Sequence, residues 1–477
     1  MRRSLALGIL LLLCATAARA ELPRAVARAF LDAKVPLDRV AVVVQRVDAA
    51  RPLFAHQPDA PMNPASTMKL VTSFAALELL GRDYRWKTEA WLGGPLVEGS
   101  LRGDLVLRGG GDPKITIEQW QAFMADLRAK GLARVEGDLV LDRSLFRLPQ
   151  HDAAQFDAEP LRPYNVGPDA LLVNFKAVRF AFAPNAAGDA VEVKLEPPLP
   201  QVALGATPAL VDGDCNDWRR SVAASFVNQP RGAAAAFPGR YPRGCGERDW
   251  HVAMLDHSTY VHGMFATYFA QAGGSFGGAV RDGLAPREAP FAVMESAPLY
   301  DIVRDVNKLS NNVMARQLYL TLGAHSLGAP ATLEKSHEAL RRWLARRKLA
   351  LPGLVVENGS GLSRQERITA GGLARLLAAA DASPVRDEFA SSLAVAATDG
   401  TLERRMRNGS AVGRGLLKTG SLEGVRALAG YVIDGAGSRW IVVAMVNDPS
   451  AIRANAPLDF LADWVIRNAS TWTRERR

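Results

Sequence analysis

"NPASTMKL", residues 63–70, stands immediately before an apolar run with helical spacing. Leu70, Val71, Phe74, Leu77 and Leu80 recur on one face, and Ala75, Ala76 and Leu79 widen the stripe. This spacing predicts a helix from Thr67 to Leu80, buried on most sides, with Gly81 as its stop. Ser66 and Lys69 stand three apart at its start. Ser66 is either a helix cap with a solvated Lys69 behind it, or a nucleophile with its base. Ser alone favours the cap. The pair does not, because a capping box calls for Glu or Gln three residues on. A cation in the first turn also sits at the positive end of the helix dipole. Catalysis supplies a reason for a buried lysine. The two side chains point the same way. Burial near the helix N-terminus lowers the affinity of the amine for a proton. A neutral amine can take the Ser66 proton, and the N–H groups of the terminus can hold an oxyanion. Ser-x-x-Lys alone is common by chance.

Two distant places extend the pattern. "KLSNNVM" contains Ser310-Asn311-Asn312, and "LLKTGSL" contains Lys418-Thr419-Gly420 on a predicted strand. Ser-x-x-Lys, Ser-x-Asn and Lys-Thr-Gly form the set used by penicillin-binding proteins and serine β-lactamases. Together, in order and in fitting elements, they are specific. Ser310 can relay a proton to a leaving amine, and Asn312 can hold Lys69 and a peptide group. Lys418 and Thr419 can bind a carboxylate. Gly420 leaves room for a close approach. The N–H of Ser421 is a second oxyanion donor beside that of Ser66.

The surroundings of these motifs divide the chain. Val42 to Val47 and "LFAHQ" read as a β-hairpin leading into the Ser66 segment. From about residue 85 to 285 short β-like runs alternate with turns rich in Gly, Pro, Asn and Asp. Helical texture returns near 297, as two stretches around a polar break at Ser310 to Asn312 followed by two more helices. "GRGLLKTGSLEGVRALAGYVIDGAGSRWIVVAMVND" reads as an antiparallel meander, and "PLDFLADWVIRNAS" as a closing helix. Residues 21–84 and 286–477 are therefore expected to form one discontinuous α/β (α+β) domain around a roughly five-stranded antiparallel sheet. Residues 85–285 are expected to form an inserted, mainly β region of one or two nested domains.

The chain resembles the D-alanyl-D-alanine carboxypeptidase/endopeptidase family of the penicillin-binding protein 4 type. Besides the three motifs, "PASTMKLVTS", "GDLVLRGGGDP" (103–113), "NGSGLSR" (358–364), "DGTLERR" (399–405) and "KTGSLEGVRALAGYV" (418–432) are family-like. The likeness spans essentially the whole mature chain. It implies a β-lactamase/transpeptidase-like catalytic domain interrupted between the first two motifs. It also implies an acyl-enzyme at Ser66, formed on peptidoglycan stem peptides and their cross-links and inhibited by β-lactam antibiotics, with no metal or cofactor. Two positions depart from the pattern. An acidic residue is expected where Arg316 stands, and an acidic middle residue is common where Asn311 stands. Both bear on substrate preference. The competing readings are a β-lactamase with the same chemistry, which the long insert disfavours, and a catalytically silent cell-wall-binding protein, which an intact Ser66, Lys69 and Lys418 disfavour.

The chain has 477 residues, 48% hydrophobic and 22% charged, enough to bury large cores. Residues 1–20 read as a Sec signal peptide: Arg2 and Arg3, then "LALGILLLLCATA", then "ARA" ending at Ala20. The protein is accordingly expected to be exported to the periplasm. Cys14 leaves with the signal, so Cys215 and Cys245 are expected to form a disulfide in an oxidising compartment. The formal charge of +9 includes Arg2, Arg3 and Arg19, which leaves +6 on the mature chain. That mild excess serves solubility and fits contact with anionic envelope polymers or lipid headgroups. Nucleic-acid binding does not fit an exported chain. "LRGGGDPK" lacks phosphate-loop spacing, no Gly-x-Ser-x-Gly elbow is present, and His251, His257 and His262 have no metal-ligand spacing.

Overall fold

The continuous apolar run at 440–446 forms a central strand of a six-stranded antiparallel sheet. The strands are β1 (Val40–Arg46), β2 (Phe54–His56), β3 (Ala394–Val395), β4 (Gly415–Leu422), β5 (Val425–Ile433) and β6 (Arg439–Asn447), in the spatial order β2-β1-β6-β5-β4-β3. The computed structural model describes residues 21–475. The signal segment expected at residues 1–20, with Cys14, lies outside the described residues.

Neighbours along a strand face opposite ways, so a sheet covered on both sides needs apolar residues at every position. On β6, Ile441, Val443 and Met445 enter one core and Trp440, Val442, Ala444 and Val446 the other. The second core is closed by α1 (Arg24–Asp32) and α7 (Asn455–Glu475). The first is closed by α2 (Lys69–Leu80), α3 (Leu299–Lys308), α4 (Asn312–Leu327), α5 (Leu333–Arg346) and α6 (Ala370–Asp381). The sequence reading expects about five strands. The sixth, β3, is a two-residue edge strand, too short to leave a periodic signal.

The expected burial of α2 is general: every residue from Lys69 to Leu77 is buried. Its polar groups are paired inside the protein. Thr72 donates to the carbonyl of Gly359 at 2.6 Å, and Ser73 to Asn307 of α3 at 3.2 Å.

The region between α2 and α3 carries its own core. A five-stranded sheet has the order 280–282, 139–142, 105–108, 87–92 and 292–295. The return strand Ala292–Glu295 pairs with Lys87–Leu92. Small all-β sheets follow between residues 178 and 252. Beyond the strands expected there, the region holds helices Ile117–Ala129 and His257–Gln271. Cys215 and Cys245 form a disulfide within this β-rich part, which also carries the short helix Trp218–Ser221. Gln317 of α4 fastens this region to the helical layer: it accepts from the N–H of Asp169 at 3.0 Å and donates to the same residue's carbonyl at 2.7 Å. Among the described residues, no helix is long and apolar enough to cross a membrane.

The disulfide closes a loop of 30 residues, which constrains the unfolded chain by about 3–4 kcal/mol in the loop-entropy account. Replacing both cysteines with serine should lower the unfolding free energy of the region between α2 and α3 by that amount in a denaturant titration, read by the fluorescence of Trp218 and Trp250, and leave the site around Ser66 intact.

Candidate active site

The turn before α2 is held from both sides. The side chain of Asn63 accepts from the N–H of Ala65 at 2.9 Å and donates to the carbonyl of Ser363 at 2.8 Å. Asn447, at the end of β6, accepts from the Asn63 N–H at 2.7 Å and donates to its carbonyl at 3.0 Å. Ala65 is thereby kept at a φ of 47°, a costly conformation for alanine. A short 3₁₀ turn, Ala65–Met68, then leads into α2. No side chain caps either helix start there. The cap reading of Ser66 is therefore set aside by the structure: its hydroxyl faces Lys69.

Lys69 is fully buried. Its Nζ donates to Ser66 Oγ at 3.0 Å, to Asn312 Oδ1 at 2.7 Å and to the carbonyl of Ser360 at 2.5 Å. Burial drives its pKa well below the ordinary lysine value, and the charges of Lys418 and Arg316 push the same way. Glu366 pulls it back up.

Ser310 and Asn312 come from the break between α3 and α4. Ser310 takes a φ of 58°, and Asn311 caps α4 by accepting from the N–H of Met314 at 3.0 Å. The middle residue of the motif is thus a helix cap here, a task asparagine and aspartate perform alike. Asn312, first residue of α4, turns inward to Lys69. One turn on, Arg316 is buried and donates to the carbonyl of Val166 at 3.2 Å. The acids Glu357 and Glu366 act on it from the 357–366 segment.

β4 closes the opposite wall. Lys418 is fully buried and donates to Ser310 Oγ at 2.8 Å and to the carbonyl of Thr419 at 3.0 Å. Burial pushes its pKa down to about 7. Thr419 donates to the hydroxyl of Thr401 at 2.8 Å. At Gly420 an added Cβ would lie 2.6 Å from the Pro64 carbonyl and 3.1 Å from the Ala65 Cβ. Glycine thus lets β4 press against the turn that carries Ser66, so the close approach is made by protein backbone. Ser421 follows at the exposed end of the strand.

The structure therefore brings Ser66, Lys69, Ser310, Asn312, Lys418, Thr419, Gly420 and Ser421 to one cleft. Sequence reasoning missed Asn63, Asn447, Thr401, Ser360 and Glu366. "NGSGLSR" and "DGTLERR" marked the neighbourhoods of three of them, but not their tasks. Gly361 shows why the first segment has its composition: its φ is 83°, and a Cβ would lie 2.0 Å from the Ala65 carbonyl and 2.8 Å from the Ser66 Cα. The three histidines do not converge on the cleft. His262 contacts Gln201 at 2.8 Å and the Gly278 carbonyl at 3.0 Å, and His257 opens the helix that carries it. Among the described residues, no group of three or more potential metal ligands exists.

The sequence pattern of the D-Ala-D-Ala carboxypeptidase 3 (S13) family matches residues 22–465. A D-alanyl-D-alanine carboxypeptidase of Actinomadura sp. (strain R39) is 28% identical over 411 residues, covering 82% of this chain and 74% of that protein. The D-alanyl-D-alanine carboxypeptidase DacB of Haemophilus influenzae is 24% identical over 396 residues, covering 81% of this chain and 80% of that protein. The crystal structure of penicillin binding protein 4 from Haemophilus influenzae has the same fold, with a TM-score of 0.76 at 22% identity over 93% of this chain and 99% of that one. A predatory endopeptidase from Bdellovibrio bacteriovorus, solved with an immunity protein, aligns with a TM-score of 0.51 at 18% identity, covering 92% of each chain.

Lys418 gives the site a measurable stability signature. Its folded pKa of about 7 lies below the unfolded value of about 10.4. The cost of burying its charge is full below pH 7 and is relieved as pH rises from about 7 to about 10. Lys418→Met should therefore unfold at a higher temperature than wild type at pH 6, with a gain of about 1–2 kcal/mol. The gap should shrink toward pH 10, as read by calorimetry across that range.

Proposed function

The chain belongs to the D-Ala-D-Ala carboxypeptidase 3 (S13) family, and from that premise we propose that it is a serine-type D-alanyl-D-alanine carboxypeptidase and endopeptidase of peptidoglycan. The observation that carries this reading is the coordination of Lys69. A lysine ammonium has three N–H bonds, and three acceptors surround this one. When it is neutral, Asn312 Oδ1 and the Ser360 carbonyl keep its two N–H bonds, and the lone pair falls toward the Ser66 hydroxyl. Burial favours that neutral form. The pair is thus a base already aimed at a nucleophile.

The rest of the reaction follows from the neighbours. Lys418, when charged, and Thr419 bind the C-terminal carboxylate of a stem peptide ending in D-Ala-D-Ala. Asn312 holds the substrate's peptide group. Ser66 Oγ attacks the penultimate D-Ala carbonyl while its proton passes to Lys69. The N–H groups of Ser66 and Ser421 stabilise the oxyanion. Because Lys418 donates to Ser310 Oγ, the Ser310 proton is free to point at the leaving nitrogen. The leaving nitrogen takes the Ser310 proton, which Lys418 replaces from its ammonium, and terminal D-Ala departs as the amine while Lys69 keeps the proton from Ser66. Water later releases the acyl group and restores the Ser66 hydroxyl. A cross-link presents the same D-alanyl bond with a longer leaving group. A β-lactam acylates Ser66 and leaves slowly. We further propose that residues 85–285 form the inserted region of a discontinuous catalytic domain, and that the enzyme works in the periplasm after export.

The test is release of D-Ala from a pentapeptide stem and cleavage of a D-alanyl cross-linked muropeptide. Wild type should do both, whereas Ser66→Ala and Lys69→Met should lose roughly 10³-fold or more of each. Undiminished release by Ser66→Ala would overturn the assignment. The pH profile of kcat/KM should be a bell. It rises as Lys69 loses its proton and falls as Lys418 loses its own near pH 7, so both limbs lie below the ordinary lysine range.

A further inference from the structure

The segment 357–366 contains a buried acid that the mechanism above does not use. Glu366 is fully buried. One oxygen of its carboxylate accepts three successive backbone N–H groups: Glu357 at 3.1 Å, Asn358 at 3.0 Å and Gly359 at 3.0 Å. The other oxygen is buried and has no hydrogen-bond partner among the described residues. The three N–H bonds bend the backbone of 357–359 around the carboxylate. Thr72 of α2 fixes the same arc through the Gly359 carbonyl at 2.6 Å. The next residue is Ser360, whose carbonyl receives the Lys69 ammonium. The orientation of that carbonyl is therefore tied to Glu366 through one short, fully bonded arc.

The charge of Glu366 bears on the same point. Three cations are buried around the nucleophile: Lys69 from α2, Lys418 from β4 and Arg316 from α4. Lys418 and Arg316 act to strip the proton from Lys69, as burial does, and Glu366 acts to keep it there. Glu366 also acts on Arg316, together with Glu357, and on Tyr319 of α4. Burial pushes its own carboxyl above the usual range, a rise that the three N–H groups and Lys69 offset only in part, and those three N–H bonds to one oxygen favour the ionised form. A base needs a proton affinity high enough to take a serine proton and low enough to start neutral. Burial and two like charges drive it only one way.

We propose that Glu366 is a positioning residue for the Ser66–Lys69 pair: its carboxylate holds the 357–359 arc that aims the Ser360 carbonyl at Lys69, and it supplies the buried negative charge that balances the cations around that amine. The inference rests on the assignment of Lys69 as the base, and its test is chosen to fail separately.

Glu366→Gln keeps an oxygen able to accept the three N–H groups and removes the charge. Glu366→Ala removes both. The rate of acylation by benzylpenicillin is measured against pH for each, with thermal unfolding as a control on folding. The Cε resonance of Lys69 in ¹³C-lysine-labelled protein, identified by its loss in Lys69→Arg, is titrated in parallel and needs no reaction. Glu366→Gln should acylate within about tenfold of wild type, with the acid limb and the Lys69 titration both moved to lower pH by about one pH unit. Glu366→Ala should acylate about 10–100-fold more slowly, as loss of an outer-shell support does at other sites. Titrations of Lys69 that superimpose in wild type and Glu366→Gln overturn the proposal, whether or not the protein reacts with penicillin. So does wild-type acylation by a folded Glu366→Ala. A wild type that never reacts with penicillin, while its Lys69 titration still shifts in Glu366→Gln, overturns the acyl-enzyme reading and leaves the assignment of Glu366 standing.

Discussion

A lysine with no exposed surface, bonded to three acceptors from three separate parts of the chain, sets the terms for the rest of this structure. Ser66 lies one turn before it, Asn312 opens α4, and Ser360 sits on a loop further on. An isolated buried ammonium would cost several kcal/mol, so the amine holds its place only while all three acceptors hold theirs. Each is fixed by bonds remote from the cleft. Asn63 is clamped by Asn447 and Ser363, Asn311 caps the helix that begins with Asn312, and Glu366 ties the arc before Ser360.

The sheet makes this precision affordable. Both of its faces are covered, and β4 and β6 bring opposite ends of the site against the same turn. β6 delivers Asn447, and β4 delivers Lys418 through Ser421. Gly420 and Gly361 allow backbone contact at spacings that no side chain would permit. The strain at Ala65 and Ser310, and the two buried lysines, sit on a scaffold whose cores are otherwise apolar. Stability is given up at the cleft and recovered around it.

Much of the fold was legible because its signals are periodic. The stripe through α2 and the meander at 415–447 each repeat a pattern over several residues, and the polar break at Ser310 to Asn312 stands out because it interrupts one. β3 was not legible, since two residues carry no period. The helix Ile117–Ala129 was overlooked although Thr116 and Gln119 form a capping box at its start. That signal lay in the sequence as Thr-x-x-Gln, among runs of β-like texture that hid it. At the site, residue types that do chemistry at fixed spacing stood out. The supporting groups did not. Asn63 and Asn447 are 384 residues apart, and nothing local marks them as partners. Glu366 resembles any surface acid until the fold buries it. Arg316 stands where an acid is expected, and the compensating charges, Glu357 and Glu366, come from a segment that only the tertiary structure brings near.

The central claim is that Ser66 is a nucleophile activated by Lys69. The most direct test is mass spectrometry of the protein after exposure to benzylpenicillin, followed by peptide mapping. The expected result is one penicilloyl group per chain, carried by the peptide that contains Ser66 and persisting through the preparation, with no adduct on Lys69→Met over the same interval. An unmodified wild-type mass, or an adduct mapped to any other residue, would contradict the account.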